Sequence, residues 1–245
     1  MSDSLTAQTI QTTGNNGAQV ETYVASPSQA GKRGGVVVIH HLPGYDRATK
    51  EIVRRFAELG YDVAMPNLYS REGLGWEEAA ASVRAKGGVP DDQLIGDVSG
   101  AAAHLRSLPT SNGKVGVIGY CSGGRQSVLA ACNVELDACV DCYGAFVVGT
   151  PPEGFPMKVT NIVDQLPNLK APLLGLFGND DQFPTPAQVD ELEGILKSNG
   201  KTYEFHRYDD TGHAFFSVDR DAYRPESAND GWRQIEKFYG TYLAA

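Results

Sequence analysis

The 245-residue sequence predicts an α/β protein with a mostly parallel central sheet and helices on both of its faces. Three observations carry that expectation. Segments such as "GGVVVIHH" and "APLLGLFG" are continuous apolar runs, as strands covered on both faces require. Stretches with helical periodicity lie between such runs. Strand and helix alternate along the chain, which implies right-handed crossovers and parallel pairing. A single domain over residues 1–245 is expected, because α/β units of this length commonly fold as one.

Taken in order, "GAQVETYVAS" alternates like the edge strand of an antiparallel hairpin. "GGVVVIHH" is a buried strand, and "RATKEIVRRFAELG" is a helix closed by Gly60. "YDVAMPNLY" returns as a strand that Pro66 stops. Two helices follow, "WEEAAASVRAKG" and "DDQLIGDVSGAAAHLRSLP". The strand beginning at Val115 leads through a glycine-rich turn into a further helix, and "LDACVDCYG" is the next strand. After the strand "APLLGLFG" comes the helix "TPAQVDELEGILKSNG", with Thr185 as its N-cap. "KTYEFHRYDD" is the last strand and "NDGWRQIEKFYGTYL" the closing helix.

Composition removes several classes of function. A formal net charge of −9 argues against nucleic acid or an anionic membrane surface as partner, since phosphate binding needs clustered Lys and Arg. No apolar run reaches the length of a membrane-spanning helix. The start, "MSDSLTAQTIQTTGNNG", lacks the basic and apolar regions of a secretory signal, so a cytoplasmic location is expected. The four cysteines do not form a disulfide framework in a chain this long. Cys139 and Cys142 make a C-x-x-C, but on a strand they point to opposite faces, so no redox or metal pair is expected there.

In a parallel sheet, reactive side chains gather on loops at the carboxyl ends of the strands. Three such loops carry chemistry. "GYCSGG" has the spacing of a nucleophile elbow, with Cys121 at the apex and the N-terminus of a helix beneath it. Unpaired N–H groups and the helix dipole favour an anion there. "FGNDDQFP" places Asp180 and Asp181 just past a strand, where either can orient an imidazole. "TGHAFF" puts His213 in the loop after the last strand. His104 and His206 fall inside a helix and a strand and are read as structural.

Cysteine, aspartate and histidine in that order, each on its own strand-end loop, follow the order of the α/β-hydrolase triad. Together with "HHLPGYD" and "PNLYSREG", these stretches resemble the dienelactone hydrolase family from about Gly34 to the C-terminus. The resemblance implies an α/β-hydrolase fold, a Cys–His–Asp triad, and hydrolysis of an enol-lactone from chloroaromatic breakdown, with no cofactor and no metal. Carried over, it makes Cys121 the nucleophile, His213 the base and Asp181, rather than Asp180, the acid. The oxyanion hole becomes the backbone N–H groups of Leu42 and Ser122.

Two positions depart from the family. Its lactone-hydrolysing members carry a glutamate where this chain has His41, next to the resting thiol. An imidazole there could take up the thiol proton or form an ion pair with the thiolate, and His41 is then counted with the substrate-binding residues; the alternative is a packed or hydrogen-bonded loop residue. Family members also hold the substrate carboxylate with two arginines. Arg71 matches one and is expected to bind substrate, while Ser217 replaces the other and Arg220 or Arg224 could substitute. Arg125, just after the elbow, is expected to make a structural ion pair. The expected substrate is a small ester or lactone. A catalytically silent binding protein and a redox-responsive one are the competing classes, and acylation of Cys121 by an activated ester separates them from the enzyme.

Overall fold

The computed structural model describes residues 4–73 and 75–244. Its frame is one eight-stranded sheet in the order β1-β2-β4-β3-β5-β6-β7-β8. The strands are β1 (Leu5–Thr13), β2 (Gln19–Pro27), β3 (Arg33–Ile39), β4 (Asp62–Pro66), β5 (Ser111–Tyr120), β6 (Ala138–Cys142), β7 (Leu173–Gly178) and β8 (Tyr203–Tyr208). From β4 across to β8 every neighbour is parallel, whereas β1–β2 and β2–β4 are antiparallel. The helices are α1 (Arg47–Glu58), α2 (Trp76–Ala85), α3 (Asp91–Ser107), α4 (Ser122–Asn133), α5 (Pro186–Ser198) and α6 (Pro225–Tyr242). Among the described residues no helix is long and apolar enough to cross a membrane.

All seven residues of β3 are buried, so the apolar run does report a strand covered on both sides. Val36 and Val38 pack with Phe56 of α1 and Trp232 of α6, while Val37 and Ile39 pack with Leu105 of α3 and Leu129 of α4. The strand repeat of two therefore divides the core into two apolar layers with helices outside each. Cys139 and Cys142 fall in different layers, and all four cysteines are free. Thr185 caps α5 in a reciprocal capping box with Gln188.

One strand differs from the sequence expectation. The segment "QVETYVASP" is not at the edge of the sheet, because β1 covers it. In β1, "LTAQTIQTT", only Thr12 is buried, and its hydroxyl lies 2.7 Å from that of Thr22. A strand whose inward contact is a hydroxyl pair carries no apolar alternation to reveal it. The closing helix also starts four residues early, at Pro225, where a proline suits the first turn.

Candidate active site

Because β3, β5, β7 and β8 run parallel, the segments that follow them emerge along one edge of the sheet. Cys121 stands between β5 and α4 with φ 59° and ψ −121°, a conformation that costs a non-glycine residue of the order of 1–3 kcal/mol. Neighbours hold it there. Its N–H donates to the Cys142 carbonyl at 3.1 Å, and its carbonyl accepts from Gly124 N–H at 2.9 Å. A Cβ at Gly119 would collide with the Gly123 carbonyl, and one at Gly123 would lie 2.5 Å from the Ile39 carbonyl oxygen. The two glycines thus let the turn close and press it against the end of β3.

The turn after β7 presents Asp181, buried, and Asp180, exposed. Asp181 Oδ2 lies 2.7 Å from His213 Nδ1, and Asp181 Oδ1 accepts the Phe183 N–H at 2.8 Å. A carboxylate held at both oxygens sets the orientation of the imidazole through Nδ1. Burial pulls the His213 pKa down. The Asp181 carboxylate and the Cys121 sulfur push it up by more, to about 10 against an ordinary 6.5. The Tyr143 ring meets the imidazole edge to face at 5.0 Å and blocks its other side.

The third component is the loop after β3. The His41 carbonyl accepts from Gly44 N–H at 2.6 Å, from His40 Nδ1 at 2.9 Å and from the Tyr69 hydroxyl at 3.1 Å. A trans peptide is planar, so fixing the His41 carbonyl also fixes the N–H of Leu42 on the opposite side of the same plane. His40 serves this purpose as a neutral ring: its Nε2 accepts from Leu68 N–H at 3.2 Å, and burial lowers its pKa to about 4. A cavity of about 370 Å³ lies over the assembly, and Leu42, Cys121, Ser122, Asp181 and His213 all reach it. A thiol beside a carboxylate-oriented imidazole, at a helix N-terminus, has the groups that acyl transfer needs.

The sequence matches the Dienelactone hydrolase family over residues 20–243. The chain belongs to that family. Relatives named "Putative carboxymethylenebutenolidase" include one from Methylorubrum extorquens, 33% identical over 92% of this chain and 78% of the relative. Another, from Escherichia coli K12, is 32% identical over 93% of this chain and 84% of the relative. The crystal structure of the "Putative Dienelactone Hydrolase" of Klebsiella pneumoniae superposes with a TM-score of 0.83 at 26% identity, over 98% of this chain and all of that one. The dienelactone hydrolase of Anabaena variabilis shares the fold, with a TM-score of 0.70 at 17% identity over 98% and 100% of the two chains. The protein is therefore an α/β-hydrolase of the lactone and ester hydrolase type.

Within this family member the substrate-facing expectations need correction. Arg71 does not reach the cavity. It makes a bidentate pair with Asp97 of α3, at 2.7 and 2.8 Å, and that carboxylate is fully buried and also accepts the Asn15 N–H. Releasing Arg71 would leave the buried Asp97 carboxylate without its charge partner, so the side chain is committed to the fold. Arg71→Ala is accordingly expected to lower stability by about 2 kcal/mol, below the roughly 3–5 kcal/mol of a fully buried pair, because Arg71 is partly exposed. It should reduce kcat/KM for a carboxylated lactone and its methyl ester equally. A selective loss on the acid would return Arg71 to the substrate.

His41 is also elsewhere. Its ring lines a neighbouring cavity, accepts from Arg220 Nη2 at 3.1 Å and lies 3.8 Å from Asp46. Burial and Arg220 lower its pKa against the pull of Asp46, so its ring is neutral at pH 7, and it is not among the residues that line the cavity over the thiol. Arg220 is occupied by His41, and Arg224 by the carbonyls of Asp210, Asp221 and Tyr223. Neither lines the cavity over Cys121. Arg125 makes the expected ion pair, bidentate to Asp91 at 2.9 Å, and also donates to the Thr160 carbonyl. Tyr69 and His40 escape the sequence, because neither the "HH" pair nor a tyrosine two residues before Arg71 reports that both side chains bond the His41 carbonyl.

Proposed function

We propose that the chain hydrolyses carboxylic esters or lactones through a Cys121 acyl-enzyme, with His213 as base, Asp181 as its orienter, and the N–H groups of Leu42 and Ser122 as oxyanion hole. The observation that carries this reading is His213 placed between a buried Asp181 and the apex cysteine of the elbow. The His213 ring holds the proton that it shares with the Cys121 sulfur as that sulfur attacks the carbonyl carbon. The carbonyl oxygen becomes an anion facing two fixed N–H donors, each worth about 3–4 kcal/mol in comparable sites. The imidazolium passes its proton to the departing alkoxide or enolate. Neutral His213 then deprotonates water, which attacks the thioester and releases the acid. Ser122 acts through its backbone alone, and its N–H is free of the helix because it is the first residue of α4.

The test is intact mass after mixing with vinyl acetate. An acetyl adduct mapping to Cys121 and disappearing with time is the expected result. No adduct, or one that maps to Cys132, would overturn the proposal.

A further inference from the structure

We propose that the site takes neutral esters bearing a phenyl-sized aromatic group, seated against Phe146, Phe155 and Phe183. This inference rests on the reading of Cys121 as nucleophile only for its placement, since the aromatic wall lines the same cavity.

The three rings form a closed cluster. Phe146 meets Phe155 edge to face at 5.0 Å and Phe183 at 5.5 Å, and Phe155 and Phe183 are 6.2 Å apart. Phe146 is buried, whereas Phe155 and Phe183 are only half-buried, so their uncovered surfaces can face the cavity. Such surfaces are completed by another ring at the same spacings, which an aliphatic group of equal volume cannot match.

Two further observations mark the wall as built. Phe146 has φ +64°, a strained conformation for a bulky aromatic residue, and it persists only where the surroundings impose it. Phe155 comes from a strap between β6 and β7 that is tied across the cavity, Lys158 N–H to the Gly87 carbonyl at 2.7 Å and Arg125 to the Thr160 carbonyl at 2.9 Å. Phe183 is held through its N–H on Asp181 at 2.8 Å, so the wall is anchored to the carboxylate that orients His213.

The charges do not favour an anionic substrate. Arg84, Arg125, Lys158 and the protonated His213 line the cavity with Asp91, Asp180 and Asp181, but Arg125 is paired with Asp91 and His213 with Asp181, which leaves Arg84 and Lys158 beside Asp180. Arg71 is bound to Asp97 and lies outside the cavity. A neutral ester with an aryl group meets both the wall and this balance.

The experiment compares methyl phenylacetate with methyl cyclohexylacetate, by calorimetric binding to Cys121→Ala and by kcat/KM on the wild type. The aromatic ester is expected to bind about two- to tenfold more tightly, with the same sign in kcat/KM. In Phe155→Leu and Phe183→Leu the ratio should fall towards one. Equal or tighter binding of the cyclohexyl ester, or a ratio that survives both substitutions, would overturn the proposal. Preference for 4-carboxyphenylacetate methyl ester over the neutral aryl ester would also overturn it. Binding to the alanine variant does not depend on turnover. A wild type that fails to be acylated therefore defeats the catalytic reading, while this ratio still decides the aromatic one.

Discussion

Cys121→Ala should abolish ester turnover, a loss of roughly three decades or more, while leaving circular dichroism and the melting temperature close to those of the parent. The side chain is half-buried and packs only at the margin of the core, so alanine removes little beyond the sulfur and chemistry separates from stability here. Cys121→Ser should recover little. A hydroxyl needs far stronger base assistance than a thiol, and the elbow places oxygen short of where the longer C–S bond puts sulfur. Single-turnover assays with an activated ester make the comparison. Turnover surviving in the alanine variant would remove the cysteine from the mechanism.

Asp181→Asn comes next in size, at about two to four decades in kcat. An amide in that position can present its NH2 to His213 Nδ1 and so favour the wrong tautomer. Asp180→Asn should cost less than about threefold, because its carboxylate is exposed and lacks the contact that Asp181 makes with the ring. The reverse ranking would move the acid by one residue. A pH signature accompanies the change. With the folded pKa of His213 raised to about 10 from 6.5, the charged ring stabilises the fold fully below pH 6.5, and that contribution is lost as pH rises towards 10. In Asp181→Asn the decline of melting temperature across this window should flatten, and an unchanged slope would contradict the pairing.

Much of this was legible in the sequence because strand-end loops in a parallel sheet converge by topology alone. "GYCSGG", "FGNDD" and "GHAFF" are far apart in the chain, yet β5, β7 and β8 deliver them to one edge. Side-chain destinations were not legible. Arg71 reads as a ligand for substrate until the buried Asp97 of α3 is seen beside it, and nothing in the spacing of residues 71 and 97 reports that contact. His41 likewise turns to Arg220, which lies far along the chain. β1 escaped because its one buried side chain is Thr12, bonded to Thr22, and Leu5 touches the core only at one end, so no apolar alternation marks the strand.

The three donors on the His41 carbonyl have a thermodynamic meaning. In water, dipoles that stabilise a nascent alkoxide must swing round as the charge appears, and that reorientation is part of the barrier. The Leu42 amide has no such freedom, because Gly44, His40 and Tyr69 have already chosen its direction. If it is the oxyanion donor proposed above, the orientational entropy of that dipole is surrendered once, when the chain folds, and not again in each turnover.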